Sequence, residues 1–217
     1  MKILPSLLAA PSLELHRSIE AMLTLGLTHF HIDMMDYQFT PNFGLSLDLC
    51  RAILQTFPEA SLDVHLMTNP TQPALVDALL EMGITDITVH LNTLSQDQIK
   101  TLSKTPSIRL RVALSHHDQL DQVMQQEKFT LLKPKRLLIL AVTPGFCGQK
   151  MQPTALALTQ KANQLGFDTM LDGGVNLDSC HDVKVSQPNS VVVGGGLFNQ
   201  PHDKQTALIS QLMGPQD

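Results

Sequence analysis

Histidine and aspartate residues stand two positions apart in two apolar segments of the chain, HFHIDMMD (29–36) and SLDVHLM (61–67). Side chains of a β-strand alternate between its two faces, so His31 shares a face with Asp33, and Asp63 shares one with His65. Burying an imidazole or a carboxylate costs free energy unless the group is paired or binds a cation. The two segments therefore indicate a functional site at the ends of two strands.

A third apolar segment ends in LDGG (171–174) and adds Asp172 to this set. Two imidazoles and two carboxylates, from His31, Asp33, His65 and Asp172, suit one divalent ion such as Zn, Mn, Fe or Co. The ion would offset the desolvation cost and leave room for a substrate to reach it. A lone histidine at a strand end is more often a satisfied core residue, so the hypothesis depends on the four groups coinciding. Among the other histidines, His90 is the best candidate for a hydrogen bond to a metal ligand.

The elements that must position these groups repeat along the whole chain, with apolar runs of strand length alternating with segments of helical period. The runs cover residues 2–8, 28–34, 61–67, 84–91, 107–114, 136–142, 167–173 and 190–196. Near-continuous apolar strands are typical of a parallel sheet covered on both faces. Eight such strands, each followed by a helix, predict one (β/α)8 TIM barrel over residues 1–217, with its active site at the C-terminal strand ends.

Glycines follow three consecutive strands at this predicted end of the barrel. They are Gly145 and Gly148 in VTPGFCGQ, then Gly173 and Gly174, then Gly194 to Gly196. Glycine lets backbone N–H groups turn towards an anion, and barrels often bind phosphate at the loops after strands 7 and 8. Tight turns alone would explain any one pair, but three clusters on successive loops favour a phosphate site.

Composition narrows the class of protein. The chain has 217 residues, of which 43% are hydrophobic, and a formal net charge of −5. The basic run KPKR (133–136) is too short for a nucleic-acid site, and no apolar run approaches the ~18 residues of a membrane span. Three widely spaced cysteines, Cys50, Cys147 and Cys180, form no disulfide framework, which is typical of a reducing compartment. We therefore expect a cytoplasmic enzyme without nucleic-acid or membrane partners.

Five motifs together resemble the ribulose-phosphate 3-epimerase family, in its order and spacing along nearly the whole chain. They are LPSLL near the start, HIDMMD with QF and PN within 31–42, DVHLM (63–67), PGFCGQ (144–149) and LDGGV (171–175). The resemblance implies a metal-dependent isomerase that interconverts D-ribulose 5-phosphate and D-xylulose 5-phosphate by two-base proton transfer at C3. It also implies a small sugar phosphate as partner and assembly into a homo-oligomer.

Residue by residue, the resemblance implies metal ligation by His31, Asp33, His65 and Asp172, with Asp33 and Asp172 also serving as acid and base. Inverting a stereocentre next to a ketone requires a base on one face and an acid on the other. Further residues would contact the substrate: Ser6, His65, Met35 and Met67 at the sugar, and Gly145, Phe146, Cys147, Gly148, Gly173, Gly174, Gly194 and Gly195 at the phosphate.

The sequence departs from the family pattern near the substrate. Tyr37 and Gln38 stand where the family usually has Gly and His, and Cys147 and Gly195 replace a common Gly and Ser. The segment SHHD (115–118) replaces a different loop after the fifth strand. None of these departures changes a predicted metal ligand, and we expect them to affect how the substrate fits.

Three alternatives remain open at this point. The first is 3-epimerisation of a hexulose 6-phosphate such as D-allulose 6-phosphate. The second is a barrel lyase, although a Schiff-base mechanism needs a lysine at the barrel mouth. The third is a non-catalytic phosphate-binding homologue. The choice among Zn, Fe, Mn and Co is also open.

Overall fold

The computed structural model describes residues 1–214, so the last three residues of the predicted 1–217 barrel lie outside the described part of the chain. Eight strands form one parallel sheet in the order β1-β8-β7-β6-β5-β4-β3-β2. An isolated parallel bridge between Ser6 and His31 joins β1 to β2 and closes the sheet. The strands are β1 (Lys2–Pro5), β2 (His29–Met35), β3 (Ser61–Met67), β4 (Asp86–Val89), β5 (Arg109–Ser115), β6 (Arg136–Leu140), β7 (Asp168–Asp172) and β8 (Ser190–Val193).

Helices surround the sheet, and this alternation confirms the predicted (β/α)8 barrel. Within residues 1–214 the α-helices are α1 (Leu15–Thr24), α2 (Leu47–Thr56), α3 (Pro73–Glu81), α4 (Gln96–Ser103), α5 (Leu120–Gln125), α6 (Glu127–Leu132), α7 (Pro153–Gln164), α8 (Cys180–Ser186), α9 (Gly195–Phe198) and α10 (His202–Met213). No helix in this range is long and apolar enough to cross a membrane.

Some predicted elements have different bounds in the structure. The first strand ends at Pro5 rather than at residue 8, and a 3-10 turn, Leu7–Ala9, follows it. The eighth strand ends at Val193, and the glycines after it begin α9 instead of extending the strand. A second helix, α6, follows α5 after one intervening residue, where one helix was expected. The first two differences lie at element boundaries and the third adds a helix, and none of them changes the order of the strands.

The strands present different chemistry on their two faces. Outward side chains such as Phe30, Ile32 and Val64 join a large apolar core between the sheet and the helices. A smaller apolar cluster, which includes Leu138 and Met170, fills part of the barrel interior. His31 and Asp33 alternate with Phe30 and Ile32 along β2 and therefore point into the barrel. The alternation inferred from the sequence is thus what places polar groups inside.

Candidate active site and metal centre

The carboxyl ends of β2, β3 and β7 bring together the four groups singled out in the sequence. One potential ligand atom from each of His31, Asp33, His65 and Asp172 lies within 4.8 Å of those of the other three. His31, Asp33 and His65 are buried, and Asp172 is partly buried. The described structure therefore holds a compact set of four groups that could bind a metal ion.

The imidazoles of this cluster are oriented by hydrogen bonds on their far sides. His31 Nδ1 lies 2.9 Å from Asp63 Oδ1, and His65 Nε2 lies 2.9 Å from His90 Nε2. If His31 Nδ1–H donates to Asp63 and His65 Nε2–H donates to His90, the lone pairs of His31 Nε2 and His65 Nδ1 face the cluster. Such hydrogen bonds fix the tautomer and orientation of metal-binding histidines. Burial, with His65 adding to it, holds the pKa of His90 well below its usual value, which suits an acceptor.

The nitrogens of His31 and His65 that face the cluster show whether a cation would fit there. His31 Nε2 and His65 Nδ1 are buried and make no hydrogen bond within residues 1–214. They nevertheless lie 3.3 and 3.4 Å from the same oxygen, Asp33 Oδ1. Buried polar atoms without hydrogen bonds are uncommon and call for an explanation, such as an ion. Two nitrogens aimed at one carboxylate oxygen fit a bound divalent cation.

The two carboxyl groups of the cluster have pKa values displaced in opposite directions. Burial alone would raise the pKa of Asp33, but His31 and His65 outweigh it and hold the value well below its ordinary range. Ser6 Oγ also donates a hydrogen bond of 3.0 Å to Asp33 Oδ2. Burial raises the pKa of Asp172 to about 6, and the nearby Asp33 adds to this against the opposing effect of His31. Without a bound metal, Asp172 therefore keeps its proton to a higher pH than Asp33 does.

Asp63 and Arg111 adjoin the cluster but were not among the site residues predicted from the sequence. Asp63 holds His31, and its second oxygen, Oδ2, forms an ion pair with Arg111 Nη1 from β5. Both Asp63 and Arg111 are buried. Alternation already placed Asp63 on the same face as His65, but nothing local in the sequence showed that β5 would direct an arginine at it. His31, Asp63 and Arg111 thus form a buried chain that crosses the barrel interior.

An open cavity of about 280 Å³ adjoins the cluster and contains most of the predicted substrate residues. The residues from the sequence analysis that line it are Ser6, Asp33, Met67, Gly145, Phe146, Cys147, Gly148, Asp172, Gly173, Gly174, Gly194 and Gly195. His65 is fully buried behind the cavity, and Met35 is buried at the end of β2, outside its lining.

The loop after β6 needs glycine at the cavity edge and is held by the loop after β2. Gly145 and Gly148 have φ of 121° and 85°, values that favour glycine. Thr40 Oγ1 donates a 3.0 Å hydrogen bond to Pro144 O, and Asn42 Nδ2 donates one of 2.6 Å to Gly145 O. The two loops are therefore hydrogen-bonded to each other over one side of the cavity. We call the four residues that join them, Thr40, Asn42, Pro144 and Gly145, the clasp.

A parallel barrel with a His and Asp cluster beside a cavity at its C-terminal strand ends belongs to the class of (β/α)8-barrel enzymes. The sequence profile of the ribulose-phosphate 3 epimerase family matches residues 2–198. The protein belongs to this family, whose epimerases are isomerase-class enzymes.

Named relatives agree with the family assignment. The chain is 29% identical to the cytoplasmic isoform of ribulose-phosphate 3-epimerase from Oryza sativa subsp. japonica, covering 100% of this chain and 96% of the relative. It is 27% identical to ribulose-phosphate 3-epimerase from Escherichia coli strain K12, covering 94% and 91%.

Solved structures of different activity share the fold. The 3-hexulose-6-phosphate synthase of Salmonella typhimurium has a TM-score of 0.68 at 16% identity, covering 98% of this chain and 100% of that one. Phosphoribosyl anthranilate isomerase from Thermus thermophilus also has a TM-score of 0.68, at 14% identity and 98% coverage of each chain. At these identities the likeness concerns the fold alone.

Proposed function

We propose that the protein is a metal-dependent ribulose-phosphate 3-epimerase that interconverts D-ribulose 5-phosphate and D-xylulose 5-phosphate. The observation that carries this proposal is the meeting of Asp33 and Asp172 with His31 and His65 in one cluster beside an open cavity. A rice relative named as a cytoplasmic isoform supports a place in the cytoplasm. A role in the pentose phosphate pathway fits the family.

Asp33 and Asp172 would move the proton at C3. One carboxylate removes the proton from one face of the sugar, and the other carboxyl returns a proton to the opposite face, which inverts the centre. They come from β2 and β7, which lie on either side of β1 and β8 around the barrel. Pairs of carboxyl groups whose environments push their pKa values apart are typical of acid and base partners. Their opposite displacement here supports these roles.

His31, Asp33, His65 and Asp172 would hold the metal ion, which we expect to be Zn, Fe, Mn or Co, because imidazole and carboxylate suit all four. A bound divalent cation supplies positive charge that makes a proton next to the carbonyl easier to remove. Asp63 and His90 would keep both imidazoles in the tautomer that offers a lone pair.

The remaining residues would bind and orient the sugar phosphate. Ser6 and Met67 line the cavity next to Asp33, while His65 and Met35 would support the sugar site from beneath. Backbone N–H groups of Gly173, Gly174, Gly194 and Gly195, with the loop from Gly145 to Gly148, would receive the phosphate. Phe146 is more than half exposed and would cover the phosphate end from the solvent side.

The cavity also bears on the lyase alternative. No lysine lines it within residues 1–214, so it lacks the amine that a Schiff base requires. The hexulose 6-phosphate alternative is tested by the ratio of kcat/KM for pentulose and hexulose phosphates.

Two variants test the proposed chemistry. Asp33→Asn and Asp172→Asn each remove one acid or base group, and we expect kcat for ribulose 5-phosphate to fall by about 10²–10⁴-fold or more. Asp178→Asn is the matched control, because this aspartate is exposed a few residues beyond Asp172. Circular dichroism should show all three variants folded. Normal turnover in either active-site variant, or turnover of the wild type that survives exhaustive chelation, would contradict the proposal.

A further inference from the structure

A second cavity, of about 260 Å³, lies inside the barrel at the end opposite the candidate active site. Its lining comes from the beginnings of strands, including Lys2, Arg109, Arg136 and Ser190, and from Arg111 deeper inside. Lys2 and Arg109 are exposed, so the cavity is open to solvent at its mouth. Arg111 and Ser190 are only 4% exposed each and form its interior wall. We call this space the lower cavity.

The carboxylates in the lower cavity already have cationic partners. Asp63 is paired with Arg111 and accepts from His31. Asp86 lies 2.8 Å from Arg136 Nη1, and Asp168 lies 2.8 Å from Arg136 Nε. With His29 neutral, four cationic side chains against these three carboxylates leave a formal charge of +1. The acids therefore balance the arginines and leave Lys2 in excess.

Two buried donors in the wall of the lower cavity make no hydrogen bond within residues 1–214. They are Arg111 Nε and Ser190 Oγ. Lys2 is exposed at the mouth, where the charges of Asp86 and Asp63 favour its protonated form. A buried donor without an acceptor is costly, so a ligand that accepts from Arg111 and Ser190 is favoured. Lys2, Arg111 and Ser190 lie on β1, β5 and β8, so they line the lower cavity from three different strands.

We propose that the lower cavity binds a phosphate group, either as inorganic phosphate or as a small phosphate monoester. A tetrahedral oxyanion has several outward oxygens and can accept from donors on different sides, whereas a carboxylate offers two oxygens in one plane. Charge-assisted hydrogen bonds from lysine and arginine to phosphate are among the stronger polar contacts. This site is separate from the glycine loops at the other end of the barrel and does not depend on the proposed epimerase activity.

Methionine methyl NMR distinguishes the two ends of the barrel. Met170 lines the lower cavity, and Met67 lines the cavity at the candidate active site. Inorganic phosphate is titrated into metal-loaded protein labelled at the methionine methyl groups, with sodium chloride at matched ionic strength as the salt control. We expect the Met170 resonance to shift and saturate with phosphate but not with chloride. Glycerol phosphate in a second titration shows whether the site also accepts a monoester: a site for free phosphate alone responds only to the first ligand.

Variants connect the Met170 response to the proposed donors. We expect Ser190→Ala and Lys2→Gln each to weaken the Met170 titration by about tenfold or more while leaving that of Met67 unchanged. Lys104→Gln is the control, because it removes the same charge from an exposed lysine elsewhere. A Met170 resonance that stays in place while Met67 saturates would overturn the proposal. The proposal would also be overturned if the wild type and the three variants bound phosphate with the same affinity in the Met170 titration. A failure of the epimerase proposal would appear in turnover and not in these spectra.

Discussion

His31 is held by a carboxylate that is itself held by an arginine, and this fixes which nitrogen faces the cluster. Asp63 Oδ1 lies 2.9 Å from His31 Nδ1, and its other oxygen pairs with Arg111. Asp63→Asn keeps the shape of the side chain but removes its charge, so the imidazole becomes a weaker ligand. We expect metal affinity, measured by competition with a chelator, to fall by about 10–100-fold.

Asp168→Asn is the control for this prediction, because Asp168 pairs with Arg136 inside the same barrel and does not contact His31. The visible absorption spectra of the two variants loaded with Co²⁺ report the geometry of the metal ligands and do not depend on turnover. Equal metal affinity in the Asp63 and Asp168 variants would rule out a positioning role for Asp63.

Asp172 makes the metal-free protein sensitive to pH. Burial raises the pKa of this carboxyl to about 6 in the folded protein, so the folded state binds its proton more tightly than the unfolded state. Its effect on the free energy of unfolding therefore becomes less favourable as pH rises from about 4 through about 6, and stays so above. An asparagine carries no charge at any of these pH values and avoids this loss.

Metal-free Asp172→Asn should consequently have a higher Tm than metal-free wild type at about pH 8, by roughly 2–4 °C for each kcal/mol regained. The two proteins should converge near pH 4, where the aspartate is largely protonated. Differential scanning calorimetry after chelation measures both values. A Tm difference that is the same at both pH values would show that the charge of Asp172 is not the cause.

The clasp between the loops after β2 and β6 connects two elements around the cavity. Thr40→Val removes the hydroxyl that donates to Pro144 O while conserving the shape of the side chain. The loop from Gly145 to Gly148 then loses one of its supports. We expect KM for the sugar phosphate to rise several-fold with kcat within about twofold, since Asp33 and Asp172 are untouched.

Thr24→Val is the control for the clasp, because within residues 1–214 the Thr24 hydroxyl donates only to Glu20 O in its own helix. Steady-state kinetics of both variants give KM and kcat separately. A fall in kcat with KM unchanged would place the effect of Thr40 on the chemistry and contradict a role confined to the substrate loop.

The strands and helices also show which features of the fold a local sequence pattern can predict. Alternation along β2 and β3 was enough to place His31, Asp33 and His65 inside the barrel, because the order of residues within one strand shows which side chains share a face. The pairing of Asp63 with Arg111 depends on how β3, β4 and β5 align, which no local pattern records. Likewise, the glycines after β8 could extend a strand or begin a helix, and in the structure they begin α9, where the backbone of Val175 lies too close to Gly196 for a side chain.

Tyr37 illustrates a departure from the family that sequence alone could not explain. It adopts φ of 65°, a conformation that glycine reaches without strain, and the family resemblance leads one to expect Gly there. Its ring stacks on Phe43 at 5.3 Å between centroids, and Asp36 accepts hydrogen bonds from the N–H groups of Gln38 and Phe39. These contacts offset the strain of a bulky residue at the turn.

Across the whole molecule, the cluster of four potential ligands spans the junction between β1 and β2, where the barrel closes. Within residues 1–214 these two strands are joined by one bridge, Ser6–His31, supported by the hydrogen bond from Ser6 to Asp33. His31 and Asp33 lie on β2, His65 on β3 and Asp172 on β7. An ion bound to all four would therefore connect β2 and β3 to β7 across the junction between β1 and β2.

Metal binding should therefore stabilise the entire fold as well as the site. A ligand that binds only the folded state adds about 4 kcal/mol at 1,000 times its Kd, which for a chain of this size corresponds to roughly 8–16 °C in Tm. We expect calorimetry to show this rise on metal loading and its loss in His65→Gln, because that variant lacks one ligand. His181→Gln, a change at an exposed histidine on α8, should retain the full rise. If His65→Gln and His181→Gln gain the same increment, the stabilising ion binds elsewhere and the cluster is not its site.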